Sequence, residues 1–300
     1  MIYCIHHNDL DGLCSGFLLK QVYPEAICFQ YDYGQDFPLS NITQNDKVFI
    51  LDINPTPEDM QTLCNITTDI VWIDHHKGTI EKLPLYQESI NKIQDYGHNV
   101  IIQDGIAACK LTWEFLKENF IKIFQDPISE RTSIYPIPLF IEYAHKWDVW
   151  KHGDDEEILA FVSGMMSYNI SVDSFLWKNL LFSTDDYVQK IVDRGRIIKQ
   201  YQVQRNFQYV KTFFYEKKYK EYKLLVCNEG LTNSKFFTDH PESNAKNYDI
   251  WVAWIYNGSK YRISLYSTKV DVSKIAVSFG GGGHKGAAGF LMHELPDWIK

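Results

Sequence analysis

The sequence predicts an α/β protein of two domains, a mainly parallel sheet with a helical section first and a smaller α/β domain after it. Three observations carry this reading. Apolar runs at residues 2–7, 47–51 and 69–73 look like strands separated by helical segments, and each stops abruptly at acids or histidines. Eight of the ten prolines lie at or before Pro138 and the next is Pro241, so the long middle suits helices. Beyond it, alternating runs at 222–227, 250–256 and 260–266 look like strands again. A chain of 300 residues fits two modest domains, and 45% hydrophobic and 15% aromatic residues are enough to bury cores in both.

Taken in order, residues 2–7 (Ile-Tyr-Cys-Ile-His-His) form the first expected strand. It breaks at Asn8-Asp9-Leu10-Asp11-Gly12, and a helix over 13–22 follows, the opening of a βαβ unit. Residues 26–31 are a second strand. Residues 47–51 are a third, ending at Asp52 with Asn54-Pro55 breaking it. A helix over 57–64 then leads to the strand before Asp74. A single acid after a strand is ordinarily a turn residue or a helix cap. Three such ends in one series (His7/Asp9/Asp11, Asp52, Asp74/His75/His76) argue against coincidence, because a parallel sheet gathers them on the edge where such sheets bind ligands.

The central stretch is Val71-Trp72-Ile73-Asp74-His75-His76-Lys77-Gly78. Adjacent side chains on an extended backbone point to opposite sides. One histidine is therefore expected to reach a metal and the other to face a substrate, with Asp74 orienting one ring. Asp104 is expected to cap the next helix, whose core face is Ile106, Cys109, Trp113, Leu116 and Phe120. A further helix over 134–150 carries Ala144-His145-Lys146-Trp147-Asp148-Val149-Trp150. An aspartate between tryptophans is costly unless it is paired, ligates a metal or stays exposed at the helix end. Residues 185–213 suit one long connecting helix interrupted only by Gly195, with Lys190, Arg194, Arg196, Lys199 and Arg205 mostly on a solvated face. The expected divisions are 1–184, 185–213 and 214–300.

In the last division Asn257-Gly258 marks a hairpin and 271–277 a short helix. Phe279-Gly280-Gly281-Gly282-Gly283-His284-Lys285-Gly286-Ala287-Ala288-Gly289-Phe290 follows. Four glycines in a row let backbone N–H groups close around an anion, although flexible loops share that composition. With His284-Lys285 directly after it, the run is a phosphate-cradle candidate.

Bulk properties narrow the function. A net charge of −8 argues against a coat for duplex nucleic acid, which depends on releasing counterions. It leaves room for a short oligonucleotide or nucleotide at a site holding divalent cations. No apolar run approaches the roughly 20 residues of a membrane span, and the polar residues from His6 to Asp11 are unlike a signal peptide. A cytoplasmic protein is expected. Cys4, Cys14, Cys28, Cys64, Cys109 and Cys227 form no Cys-x-x-Cys pair and read as buried reduced thiols rather than a structural zinc site.

In combination these motifs resemble the DHH/DHHA1 phosphoesterases. That family includes nanoRNA-degrading oligoribonucleases, bisphosphonucleotide phosphatases, cyclic-dinucleotide phosphodiesterases and the exonuclease RecJ. His7-Asn8-Asp9-Leu10-Asp11-Gly12 is similar to the first motif, Asp52 to the second, Asp74-His75-His76 to the naming motif and Asp148 to the fourth. Gly281-Gly282-Gly283-His284 with Ala287-Ala288-Gly289 is similar to the substrate-binding signature of the DHHA1 domain. The likeness spans almost the whole chain in the right order.

The resemblance implies a doubly wound DHH domain, a DHHA1 domain and two Mn²⁺ ions, with Mg²⁺ or Co²⁺ as substitutes. His7, Asp9 and Asp52 would hold one ion and Asp11, Asp52, His75 and Asp148 the other, with Asp52 bridging. His6 remains the alternative to His7. Mixed carboxylate and imidazole ligands suit Mn²⁺ better than Mg²⁺, and two ions about 3.5–4 Å apart could share a hydroxide as the nucleophile. His76, with Asp74 behind it, would face the scissile phosphate as the catalytic pair. Gly281, Gly282, Gly283 and His284 would grip another phosphate. Many relatives carry an arginine where this chain reads Ser264-Leu265-Tyr266-Ser267; Arg262 lies on the same strand face nearby. The implied activity is hydrolysis of short single-stranded oligonucleotides or small nucleotides, dinucleotides among them, with no duplex or membrane partner. A 3′,5′-bisphosphonucleotide phosphatase would use the same groups. A catalytically silent nucleotide-binding module is the third reading, and the complete ligand set argues against it.

Overall fold

Strands β1 (Ile2–His7), β2 (Ile27–Tyr31), β3 (Lys47–Leu51), β4 (Ile70–Asp74) and β5 (Val100–Ile102) pair in parallel in the order β2-β1-β3-β4-β5. The computed structural model describes residues 1–33, 35–124, 137–182 and 185–300. Helices α1 (Leu10–Val22), α2 (Pro57–Ile66), α3 (Lys77–Lys82), α4 (Gln87–Asp95) and α5 (Ala108–Phe124) lie between and after the strands. The strands are apolar on both faces because both are covered. Cys4, Phe49, Leu51, Val71 and Ile73 join a core with Phe17 and Leu18 of α1 and Trp113 and Leu116 of α5. Tyr3, Ile5, Val48, Ile50 and Trp72 join another with Met60 and Leu63 of α2 and Ile93 of α4. Each such buried side chain contributes about 1.5–3 kcal/mol. The chain steps from β1 to β2 on one side and to β3 on the other, so the C-terminal ends of β1 and β3 flank the point where strand order reverses.

The start expected for the first helix is corrected. The helix expected from residue 13 starts earlier: Asp9 caps α1, accepting from the Gly12 N–H at 2.9 Å, so the helix begins at Leu10. β5 and the helices between β4 and β5 were not read from the sequence; β5 is only three residues long.

The helical section follows as α6 (Leu139–Asp148), α7 (Glu156–Met165), α8 (Phe175–Phe182) and α9 (Asp185–Phe213). Of the helix expected over 134–150, residues 134–136 lie outside the described residues, as does the side chain of Phe120. α9 is one helix of 29 residues, and Gly195 does not interrupt it. A Cβ at Gly195 would meet the Ala160 carbonyl oxygen at 1.7 Å, so the glycine is where α9 lies against α7. Val188, Ile191 and Val192 of α9 belong to the α1/α5 core.

The chain divides into two compact units, Met1–Lys199 and Gln200–Lys300. The second holds β6 (Tyr215–Tyr219), β7 (Tyr222–Cys227), α10 (Ser234–Thr238), β8 (Ile250–Tyr256), β9 (Tyr261–Tyr266), α11 (Val272–Ser278), β10 (Gly282–His284) and β11 (Ala287–Met292). The six strands form one mixed sheet, β10-β11-β9-β8-β7-β6, in which β7 and β8 run parallel. Val252, Ile263 and Leu265 pack with Val272 and Ala276 of α11 on one face. Trp251, Ala253 and Cys227 pack with Phe236 and Phe237 of α10 on the other. Among the described residues no helix is long and apolar enough to cross a membrane.

Candidate metal centre and substrate groove

Three strand ends meet at one point. β1 delivers His7, β3 is followed by Asp52, and β4 is followed by His75 and His76. His7 Nδ1 stands 2.8 Å from Asp9 Oδ2 and 3.7 Å from Asp52 Oδ2. His75 Nε2 stands 3.0 Å from Asp148 Oδ2, 3.2 Å from Asp52 Oδ1 and 3.4 Å from Asp11 Oδ2. Asp52 thus touches both halves of the cluster. The ligand atoms of His7, Asp9 and Asp52 lie within 4.8 Å of one another, as do those of Asp11, His75 and Asp148, and those of Asp52, His75 and His76. His6 is not part of it: its buried ring bonds the His7 carbonyl through Nδ1.

Local structure explains each placement. Asp52 has φ 63°, a left-handed conformation that costs a non-glycine residue about 1–2 kcal/mol. Gly12 brings α1 hard against the end of β1; a Cβ there would lie 2.3 Å from the His7 carbonyl oxygen. Asp11, one residue earlier, is buried and accepts from the N–H groups of Ala108 (2.8 Å) and Cys109 (2.7 Å). The start of α5 is therefore capped from α1 across the fold, and Asp104 is not its cap. The positive end of α5 in turn supports a buried carboxylate.

The expected divergence of His75 and His76 does not occur. β4 ends at Asp74, so neither residue continues the strand alternation, and the rings sit 4.7 Å apart beside Asp52. Asp74 fixes both. Its carboxylate accepts from the His75 N–H at 2.8 Å, pairs with His76 Nδ1 at 2.7 Å and accepts from the Thr79 hydroxyl at 2.5 Å. Burial works to raise the Asp74 pKa, but these partners outweigh it and hold the carboxyl below its ordinary value.

The electrostatics are those of a site short of positive charge. Burial pushes Asp52 up to about 6 against the pull of His7 and His75. Burial, with Asp52 and Asp148 nearby, raises Asp11 well above the usual carboxylate range. The carboxylates of Asp52 and Asp9 beside its ring raise His7 to about 10. Burial would lower His75, yet Asp148 and Asp52 raise it to about 11. Burial would also raise Asp9, but His7 and the Gly12 N–H bring it to about 2. His7 Nδ1, both oxygens of Asp52 and His75 Nε2 are buried and face one another and the neighbouring carboxylates, with no hydrogen bond of ordinary geometry. Buried polar atoms are almost always paired. Four such atoms converging among carboxylates fit divalent cations, and oxygen with imidazole donors is a set such ions accept.

In the second unit the strand register builds a groove on one sheet face. His284, Ala287, Tyr266 and Trp251 form one cross-strand row; Gly282, Gly289, Ser264 and Ala253 form the next; Leu291, Arg262 and Ile255 form the third. Arg262, Ser264, Tyr266, Gly281 and Gly289 line an open groove there. The glycine run is not a free loop: Gly282 and Gly283 are already in β10, and the Gly280 and Gly281 amides bond to Val277 and Ala276. A Cβ at Gly283 would come 2.5 Å from the Ala288 Cα, so that glycine serves the approach of β10 to β11.

Residues 1–132 match the family described as DHH family, N-terminal domain. They are a DHH-family domain. The oligoribonuclease NrnB of Bacillus subtilis is 24% identical over 313 residues, covering 96% of this chain and 72% of that protein. The uncharacterized protein R106 of Acanthamoeba polyphaga mimivirus is 25% identical over 308 residues, and the chain spans 98% of itself and 59% of R106 in that match. Among solved structures, the DHH domain of a protein assigned to a family of ribosomal proteins aligns with a TM-score of 0.51 at 12% identity, covering 97% of this chain and 82% of that one. That last likeness is one of fold.

Sequence reasoning missed several neighbours of the DHH cluster. Asp32 Oδ1 lies 3.3 Å from His7 Nε2, and Tyr33 packs 6.0 Å from the His7 ring while donating to Asn54 at 2.7 Å. The signal was available, since Tyr31-Asp32-Tyr33 is another strand ending in an acid. Beyond Asp148, α6 closes with Trp150 N–H on Trp147 O (3.2 Å) and Lys151 N–H on Lys146 O (2.9 Å). This is a Schellman closure, whose left-handed position usually holds glycine; here it holds Trp150, at φ 57°.

Proposed function

We propose that this protein is a divalent-metal-dependent phosphodiesterase that hydrolyses short single-stranded oligonucleotides or small dinucleotides, with Mn²⁺ as its preferred ion. The observation that carries the reading is the convergence of Asp52, His7 and His75 at the switch point of the sheet, with their inward polar atoms buried and without well-formed hydrogen bonds. The name of the Bacillus relative, an oligoribonuclease, supports the substrate class.

His7, Asp9 and Asp52 would hold one ion, and Asp11, His75 and Asp148, with Asp52 shared, the other. Ions held there supply Lewis acidity, charge for the phosphate oxygens and a water made acidic at neutral pH. The remaining work falls to the chain. Asp74 binds His76 Nδ1 and so aims the ring, leaving Nε2 for the substrate. Carrying a proton, that nitrogen donates to a phosphate oxygen or to the leaving oxygen. In the second unit, taken as DHHA1-like, Arg262 and His284 would grip a phosphate away from the reacting one.

The test is a substrate panel. Pure protein with Mn²⁺ is offered dinucleotides, longer single strands, duplexes, cyclic dinucleotides and 3′,5′-bisphosphonucleotides. Release of mononucleotides from the shortest single strands is expected. Preference for the bisphosphonucleotide would make it a phosphomonoesterase, and binding without turnover would make it a silent module.

A further inference from the structure

Trp150 is held where stability alone would not place it. Its backbone is left-handed (φ 57°) at the closing position of α6, which glycine adopts without strain. Its side chain is 82% exposed, so burial does little to offset that strain. A strained, exposed indole calls for a reason outside the packing of the fold.

Its surroundings supply one. Trp150 is two residues beyond Asp148, so their Cα atoms are no more than about 7 Å apart. Asp148 reaches into the cluster, 3.0 Å from His75 Nε2. Trp150 lies 5.9 Å from the ring of buried His152, which itself stacks 5.0 Å from Trp147. Three rings thus run from half-buried to open solvent, beginning on the helix turn that carries Asp148. Lys151 fastens the same turn to the loop before α5 through the Gly105 carbonyl, at 2.8 Å. The platform is therefore anchored at its base and bare at its tip.

We propose that Trp150 is a stacking platform for a nucleobase of the substrate, next to the metal-ligand cluster. The inference rests on the phosphodiesterase reading above and adds a specificity-determining residue to it. Every base has a π-face, so such a platform favours nucleotides over base-free phosphodiesters without selecting a sequence. That matches an enzyme for short oligonucleotides of any composition.

The experiment compares a dinucleotide with its abasic counterpart, using the full chain loaded with Mn²⁺ and the variants W150A, W150G and W150F. Wild type should show a lower KM for the base-bearing substrate. W150A should raise that KM by roughly tenfold, the scale of losing one stacked base, and should collapse the discrimination between the two substrates. W150F should keep most of it. W150G should melt no lower than wild type, because glycine relieves the left-handed position. Unchanged discrimination in W150A overturns the platform, as do equal losses on both substrates or a lowered melting temperature in W150G. If wild type cleaves neither substrate, the phosphodiesterase reading fails on its own. Calorimetric titration of the dinucleotide then decides the platform, which stands if W150A binds about tenfold more weakly and falls if it binds equally well.

Discussion

Replacing Asp52 by asparagine keeps the side-chain shape and a residue type that tolerates left-handed backbone, yet removes the charge that both halves of the cluster share. D52N should fold, with circular dichroism unchanged, and lose activity by orders of magnitude. Retained activity above about a tenth, a barrier change under ~1.4 kcal/mol, would contradict the bridging role. The two histidines set a pH dependence. His7 and His75 have folded values of about 10 and 11 without metal, above the ordinary 6.5. A raised histidine stabilises fully below its unfolded value, and that stability is lost as pH climbs through the folded value. The metal-free protein should therefore lose stability from about pH 6.5 upward, while metal binding, which needs these rings deprotonated, strengthens. Melts at pH 6 and pH 8, with EDTA or with Mn²⁺, should show the gap between the two forms widening. A gap that stays constant, or no effect of Mn²⁺ at either pH, would remove the metal account.

Gly195 shows what an element's packing does that propensity does not. In an exposed helix interior, glycine to alanine gains about 1 kcal/mol. At Gly195 the new methyl would meet the Ala160 carbonyl oxygen at 1.7 Å, so G195A should instead cost about 3 kcal/mol or more. The denaturant midpoint reads the sign, and a rise would mean that α9 and α7 are not in register as described. Much of the architecture was legible for a simple reason: β1, β3 and β4 are apolar runs cut off by polar residues, and that contrast needs no tertiary information. What escaped was tertiary. The Asp11 cap on α5 joins residues far apart in the chain, so no local pattern could displace Asp104. His75 and His76 were misaimed because one residue decides whether a strand's alternation still applies. Trp150 was read only as a neighbour of Asp148, since the left-handed position belongs to the helix closure and not to the residue.

At the scale of the molecule, each unit supplies a different function to the proposed reaction, and a substitution in the second should separate them. H284A should slow cleavage of a dinucleotide strongly and a small chromogenic phosphodiester far less, because remote contacts lower the barrier only for substrates that make them. Comparing kcat/KM for the two beside a melting curve checks this, and equal losses would end the gripping role. The scatter of the cluster along the chain has a further result, one that concerns its birth. His7, Asp52 and His75 are all made before Asp148, the last carboxylate of the set, and at 5–20 residues per second the interval from His75 to Asp148 lasts about 4–15 s on the ribosome. Through that interval a growing chain already holds His7, Asp9 and Asp52, the ligands of one proposed ion, but lacks Asp148 of the other. The ligand set of the second proposed ion is therefore complete only after α6 has been made.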